Sequence, residues 1–382
     1  MAAHKFTASL SPHPNDKPWS QENWPPGPDQ PRVTVVVVPR ERFSGTQESL
    51  ESLLNNTSAP FDLVYVDGNS PPPIRRYLQT QSQGYGFRLL RFDRFLSPNQ
   101  ARNIGLSLVQ TPYVVFLDND VMVSSDWLSS LMTCADATGA AIVGPLMCQD
   151  RPLHQTVHFA GGESHIYTDA QGRRHLREKM YGHLRPVEAV LPRLRRQPTE
   201  LVEFHCMLVR TEIFQQTGLL DEAILNTKEH MDFCMTVMEL GESIYVEPAS
   251  MVTYVPEPPQ TLADAHFYML RWSDAWAKAS ICRLQEKWQL TADKYFENTY
   301  RRARARRVIT FIDPLSQRLT GTKHHPTVHK LLRGGEKYLN RGISWVHTHG
   351  LNLQSAQVLW SRMVDYSASS LKQIFPRKKA SL

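Results

Sequence analysis

At 382 residues, 41% hydrophobic and 21% charged, the chain has the composition of a globular protein with an ample core, long enough for one large domain and an appendage or for two domains. No stretch is apolar over the length of a transmembrane helix, and Met1 to Leu10 lack the apolar core of a signal peptide, so neither is expected. The net charge of +6 is mild at this length and suits anionic small molecules or an acidic membrane surface as well as nucleic acid. Five scattered cysteines without C-x-x-C spacing indicate neither a disulfide framework nor a structural zinc site, which points to a reducing cytoplasm.

Residues 1–31 hold seven prolines and few aliphatics, the composition of an extended, mobile lead-in. Val33 to Val38 reads as a strand stopped by Pro39. Ser44 and Gln47 have capping-box spacing, and Leu50, Leu53 and Leu54 give the next helix one apolar face. Leu63 to Val66 is a second strand that stops at the turn signal Asp67-Gly68-Asn69-Ser70. Pro71 to Pro73 open a helix around Ile74 to Thr80, and Arg88 to Phe92 reads as a third, more exposed strand. Ser97, Pro98 and Gln100 carry the cap, first-turn and capping-box signals of a helix lined by Ala101, Ile104 and Leu108, in which Gly105 allows a neighbour to approach closely.

That helix feeds into Tyr113 to Leu117, five apolar residues followed at once by Asp118-Asn119-Asp120. A short continuous apolar run predicts a strand buried on both faces, as in a parallel sheet. Carboxylates are costly to bury, so this pair should sit just past the strand end facing a ligand. Two carboxylates so close repel unless something positive lies between them, and a hard divalent cation that also holds phosphate oxygens is the natural candidate. A solvated strand-to-turn junction would use the same residues. A helix from near Asp126 and a strand at Ala141-Ile142-Val143 continue a βαβα rhythm, which predicts an α/β, doubly wound, mainly parallel sheet. Ligands of such sheets bind outside the carboxyl ends of the strands, where Arg40-Glu41, Asp67 and Asp118-Asn119-Asp120 all fall.

From Gln171 to Pro198 the chain turns irregular and basic, an insertion that is either functional or disordered. Order resumes at Val202 to Val209. Lys228 to Cys234 begin a helix that Gly241 closes, and Ser243 to Val246 is a last strand. Past Tyr254, three prolines break the chain before a long helix over Leu262 to Leu290, a basic run from Arg301 to Arg307, and further helical patches. The expected division is a lead-in over 1–31, an α/β domain over 32–255 and a helical extension over 256–382. His324, His325 and His329 have metal-like spacing without acidic companions, a poor signal.

The order of these pieces, with Ala101-Arg102-Asn103-x-Gly105, Phe116-Leu117-Asp118-Asn119-Asp120 and Glu229-His230-Met231-Asp232, resembles inverting nucleotide-sugar glycosyltransferases of family 2, which have the GT-A fold. The resemblance covers about residues 33–254. It implies a nucleotide-sugar donor, a saccharide or lipid-linked acceptor, and Mn²⁺ or Mg²⁺ held by Asp118 and Asp120. Pro39, Glu41, Asp67, Arg102, Asp118 and Asn119 are then expected around the donor nucleotide, Asp67 contacting the base unless it only stabilises its turn. The resemblance places the general base in the E-D-x-D-like motif, here Glu229, with Asp232 as the alternative. Two departures stand out: His230 where an Asp is commoner, and Tyr254 where related enzymes often carry a His. A catalytically inactive glycosyltransferase-like scaffold and a nucleotidyltransferase are the competing readings. The basic runs lack interleaved aromatics, so nucleic acid is not an expected partner, whereas Arg301 to Arg307 suit a peripheral contact with acidic lipid.

Overall fold

The computed structural model describes residues 30–349, so nearly all of the expected lead-in and the chain beyond 349 lie outside the described residues. The first half is the alternation read from the sequence. Strand β1 (Val33–Val38) leads to α1 (Thr46–Asn56), β2 (Asp62–Gly68) to α2 (Pro72–Tyr85), β3 (Arg88–Phe92) to α3 (Pro98–Leu106), and β4 (Tyr113–Asp118) follows. A short β5 (Val121–Val123) and α4 (Trp127–Thr138) precede β6 (Ile142–Gln149). All six residues of β1 and of β4 are buried, as a strand covered on both faces requires. Ser97 and Gln100 form the expected capping box at α3. The box expected from Ser44 and Gln47 does not form. The helix there starts at Thr46 behind Gly45, and the Phe43 and Ser44 N–H groups donate instead to Asp264 Oδ1, at 2.6 and 3.2 Å.

The second half departs further. Strands β7 (Thr156–Phe159), β8 (Gly162–Thr168) and β9 (Arg174–Met180) come next, then α5 (Val187–Val190) and a two-residue β10 (Gln197–Pro198). The basic insertion read as irregular is therefore in part a hairpin, β8 pairing antiparallel with β9 from Gly162–Met180 to Thr168–Arg174. Its alternating pattern is masked in sequence because Leu176 alone among the β9 side chains is buried. Strand β11 (Cys206–Arg210), α6 (Ile213–Thr217), α7 (Glu229–Glu239) and β12 (Ile244–Tyr254) complete the sheet, the last strand running well past Val246. The long helix expected over 262–290 is two, α8 (Leu262–Arg271) and α9 (Asp274–Trp288), because Ser273 Oγ caps a new start by accepting from Trp276 N–H at 3.2 Å. Then come α10 (Lys294–Arg307), a π-helical turn at Val308–Ile312, α11 (Asp313–Thr320) and α12 (Pro326–Thr348). No described helix is long and apolar enough to cross a membrane.

The main sheet runs β3-β2-β1-β4-β11-β6-β12-β10, with β5 on β12 and β7 on β6. Its first four strands are parallel, as expected. Strand β11 is reversed between β4 and β6, Cys206 lying opposite Leu117. Reversal puts the start of β11, rather than its end, beside the carboxyl end of β4. Parallel pairing of β12 with β6 brings Tyr254 to the same edge.

Helix α3 lies on β1 through Gly105, where an added Cβ would sit 2.2 Å from Val36 Cγ1. Gly105→Ala should therefore destabilise the fold by about 1–3 kcal/mol, the range for overpacking. The obstacle is one side chain, so Val36→Ala in the same chain should recover much of that loss, giving a non-additive pair in denaturant unfolding. Purely additive losses would show that α3 is not seated on β1 through this contact.

Candidate active site

At the carboxyl end of β4, Asp118 has no solvent exposure. Its Oδ1 accepts from Arg102 Nη2 at 3.0 Å and its Oδ2 from Arg40 Nη1 at 3.1 Å, with His205 Nδ1 3.2 Å from Oδ2. Burial works against the charge, yet His205, Arg102 and Arg40 hold this carboxyl far below the usual range. Arg102 comes from the α3 turn after the capping box, its guanidinium over the Phe204 ring at 4.1 Å. Arg40 follows β1 and lies over the Tyr254 ring at 5.1 Å.

Asp120, two residues on, is also fully buried, but neither of its carboxylate oxygens has a hydrogen-bond partner among the described residues. Burial raises its pKa to about 8, with Asp118 and Glu41 adding to the rise and Arg40 opposing it. An unpaired buried carboxylate is costly, and a cation is the group that would relieve it. Ligand atoms of Asp118, Asp120 and His205 all lie within 4.8 Å of one another. Burial, then Arg40, lowers the His205 pKa to about 4, so its imidazole is neutral, the form that ligates metals. Two carboxylates and one imidazole fit Mn²⁺ or Mg²⁺.

Behind this corner stands the start of α7. Glu229 is 5% exposed and accepts from Arg271 Nη2 at 3.2 Å, with Arg102 Nη1 at 3.9 Å. Burial opposes its charge, but Arg271 and Arg102 hold its pKa down to about 2. Asp232, one turn on, faces the other way: Trp288 Nε1 and Lys287 Nζ donate to it at 2.7 and 2.8 Å, tying α7 to α9. His230, where the motif would have an Asp, is 16% exposed, and its buried Nε2 has no hydrogen-bond partner among the described residues. That nitrogen is 4.0 Å from Glu203 Oε1, while Glu203 Oε2 lies 2.9 Å from His158 Nε2 and 3.8 Å from His205 Nε2. Burial keeps His230 neutral against the pull of Glu203 and Glu229.

The structure thus brings together Arg102, Asp118, Asp120 and Glu229 of the residues expected from the sequence. Others are engaged by the scaffold. Asn119 accepts from Arg40 N–H at 2.9 Å and donates to Arg42 C=O at 2.8 Å, stapling the loop after β1. Asp67 accepts from the N–H and hydroxyl of Ser70 at 2.9 and 2.8 Å and from Arg91 Nη1 at 2.6 Å, the bonding of its turn. Glu41 accepts from Tyr254 and Trp272, at 3.1 and 2.9 Å, and Pro39 is buried against Gly68. Sequence reasoning missed His205, Glu203 and His158, whose scattered positions carry no spacing signal, and Arg271, which lay in a segment read as a separate extension.

Residues 34–217 match the sequence model of the family described as glycosyl transferase family 2. A pre-mycofactocin glycosyltransferase of Mycobacterium tuberculosis (strain CDC 1551 / Oshkosh) is 25% identical over 235 residues, 60% of this chain and 44% of that protein. The uncharacterized protein y4gI of Sinorhizobium fredii (strain NBRC 101917 / NGR234) is 25% identical over 221 residues, 55% of this chain and 23% of that protein. The chain therefore spans less than half the length of these curated relatives. Among solved structures, GalNAc-T7 with UDP, GalNAc and Mn²⁺ aligns with a TM-score of 0.46 at 14% identity, over 70% of this chain and 56% of that one. S. aureus TarS 1–349 aligns with a TM-score of 0.42 at 15% identity, over 84% and 92%.

The isolated Asp120 has a signature in stability. A carboxyl raised from 3.8 to about 8 on folding favours the fold fully below the lower value, and that contribution is lost as pH climbs through the upper one. In chelator-treated protein, Asp120→Asn should therefore gain stability relative to the parent as pH rises from mildly acidic to mildly alkaline. Adding Mn²⁺ should raise the parent's melting temperature and leave the variant's unchanged. Parallel pH profiles, or equal Mn²⁺ shifts, would show that Asp120 is paired in solution.

Proposed function

We propose that this chain, whose residues 34–217 belong to glycosyl transferase family 2, moves a sugar from a nucleotide-diphosphate sugar to the hydroxyl of a saccharide or lipid-linked acceptor, with inversion. The observation that carries the reading is the unpaired, buried Asp120 carboxylate beside Asp118 and His205, at the strand ends where α/β sheets bind ligands. In the proposal Asp118, Asp120 and His205 hold the divalent cation, Mn²⁺ or Mg²⁺. When bound, that cation supplies a Lewis acid for the departing diphosphate. Arg40, at the rim with 12% of its side chain exposed, is the guanidinium placed to meet phosphate oxygens. Arg102 and Arg271 keep the floor of the site positive while Glu229 Oε1 bridges the two.

Single displacement needs one group to take the acceptor proton as the acceptor oxygen bonds to the anomeric carbon and the electron pair of the broken C–O bond leaves on the diphosphate. Glu229, expected for this role, is clamped by two arginines that cut its basicity. His230 adjoins it, is neutral, sits nearer solvent, and has Glu203 behind it to stabilise the imidazolium that forms. In this reading His230 takes the proton, Glu229 orders the arginines, and Asp232 anchors α7. The substitution of His for the commoner Asp is then a change of base rather than a loss of activity, which favours an enzyme over an inactive scaffold.

A turnover screen across nucleotide sugars, with and without Mn²⁺, tests this directly. One donor should be consumed only with the cation, and Asp120→Asn should lose Mn²⁺-dependent nucleotide binding. His230→Gln should bind nucleotide normally while transfer falls by roughly a hundredfold to ten-thousandfold, the usual range for a missing general base. Glu229→Gln should weaken nucleotide binding as well as turnover. Normal nucleotide binding with lost transfer in Glu229→Gln, and normal transfer in His230→Gln, would return the base to Glu229. No turnover of any donor would favour the scaffold.

A further inference from the structure

The C-terminal helices present a surface built from residues outside the candidate active site. Between residues 314 and 349 the sequence has six Lys or Arg residues and one acid, Glu336. Glu336 is buried and accepts from Arg307 Nε at 2.6 Å, so it does not offset the charge at the surface. Helix α12 packs inward through Val328, Glu336, Asn340, Ile343 and Ser344. On its outer side Leu331, Tyr338 and Trp345 are 56%, 70% and 54% exposed. Their seven-residue spacing aligns them in one stripe. By the same periodicity Lys330, Arg333, Lys337 and Arg341 form a parallel stripe beside it, and none of the four pairs with a carboxylate among the described residues.

Three of these cations, Lys330, Arg333 and Lys337, line a cleft of about 410 Å³ with Arg304, His324 and His329. Arg304 Nε is buried there without a hydrogen-bond partner among the described residues. The acidic companion that the histidine spacing lacked is Asp313, 3.0 Å from His329 and 3.8 Å from His324. A metal cation at that cluster would nevertheless face four uncompensated positive side chains, whereas a phosphate group would be welcomed by them.

We propose that the outer face of α12 docks on an anionic membrane surface, with Leu331, Tyr338 and Trp345 entering the interface and the basic cleft taking headgroup phosphates. A Leu, Tyr and Trp row beside a Lys and Arg row is the pattern of a helix lying in the plane of a membrane. Residues 350–382 are the other candidate cover, but they carry five Lys or Arg residues against one Asp, the same sign as the stripe they would have to neutralise. This site shares only Arg304 with the lipid contact expected at Arg301 to Arg307. That run is divided: Arg301 pairs with Glu297 at 3.5 Å, Arg306 lies over the Trp272 ring at 4.2 Å, and Arg307 is buried against Glu336, Asp274 and the Trp272 carbonyl.

Flotation of the full chain with phosphatidylcholine vesicles, with and without phosphatidylglycerol, at low and high salt, is the test. The protein should float with the anionic vesicles alone, less so at high salt. At roughly fivefold per basic side chain near the surface, Lys330→Glu, Arg333→Glu and Lys337→Glu together should weaken binding by about a hundredfold or more. Tyr338→Ser with Trp345→Ser should lower binding at both salt concentrations. All five side chains are exposed, so the variants should melt with the parent. Failure of the parent to bind anionic vesicles, as when residues 350–382 cover the face, overturns the proposal. So does binding that survives both sets of substitutions, which would place the contact elsewhere.

Discussion

A charged carboxylate with no access to water stands at the centre of this molecule. Asp118 is stable there because three cationic or polar partners reach it from three different places: Arg40 after β1, Arg102 in α3, and His205 ahead of β11. A buried ion pair contributes little net stability, because desolvation nearly offsets the attraction, but removing one partner leaves a bare charge and is severe. The network therefore acts as a specification of geometry. β1, α3, β4 and β11 must assemble in one arrangement or Asp118 is left unpaired. Asp120, on the same turn, is left without such partners, and the contrast between these two carboxylates two residues apart defines the site.

The helices after Tyr254 form the other wall. Trp272 donates to Glu41 beyond β1, Arg271 to Glu229 at the start of α7, and Trp288 to Asp232 one turn later. These contacts join the C-terminal helices to both sides of the strand-end edge. The β8–β9 hairpin reaches the same helices: Arg174 Nε donates to the Trp288 carbonyl at 3.1 Å, and Glu178 accepts from Lys228 and Tyr295, at 2.6 and 2.8 Å. The turns bearing Trp272 and Trp288 and the hairpin thus position α7, whose first residues face the acidic corner. Helix α12 is attached to this wall through Arg307 and Glu336, and among the described residues nothing covers its outer face.

What the sequence determined by itself was local. The apolar run into Asp118-Asn119-Asp120, the cap at Ser97 and Gln100, and the alternation of strands and helices rest on residues close together in the chain. Hydrophobic periodicity and capping chemistry report them directly, and the parallel first half of the sheet with its strand-end rule follows. The tertiary structure decided everything that depends on direction and on distant partners. Reversal of β11 is not visible in its composition, yet it alone carries His205 to Asp118 instead of to the opposite edge. The state of Glu229 depends on Arg271, forty-two residues away in a helix with no motif. Asn119, Asp67 and Glu41 lie at the strand ends, as sequence spacing placed them, but their hydrogen bonds are made to the scaffold. Side-chain spacing locates a residue along the chain, whereas its charge state and free valences are set by whichever groups packing brings within hydrogen-bond reach.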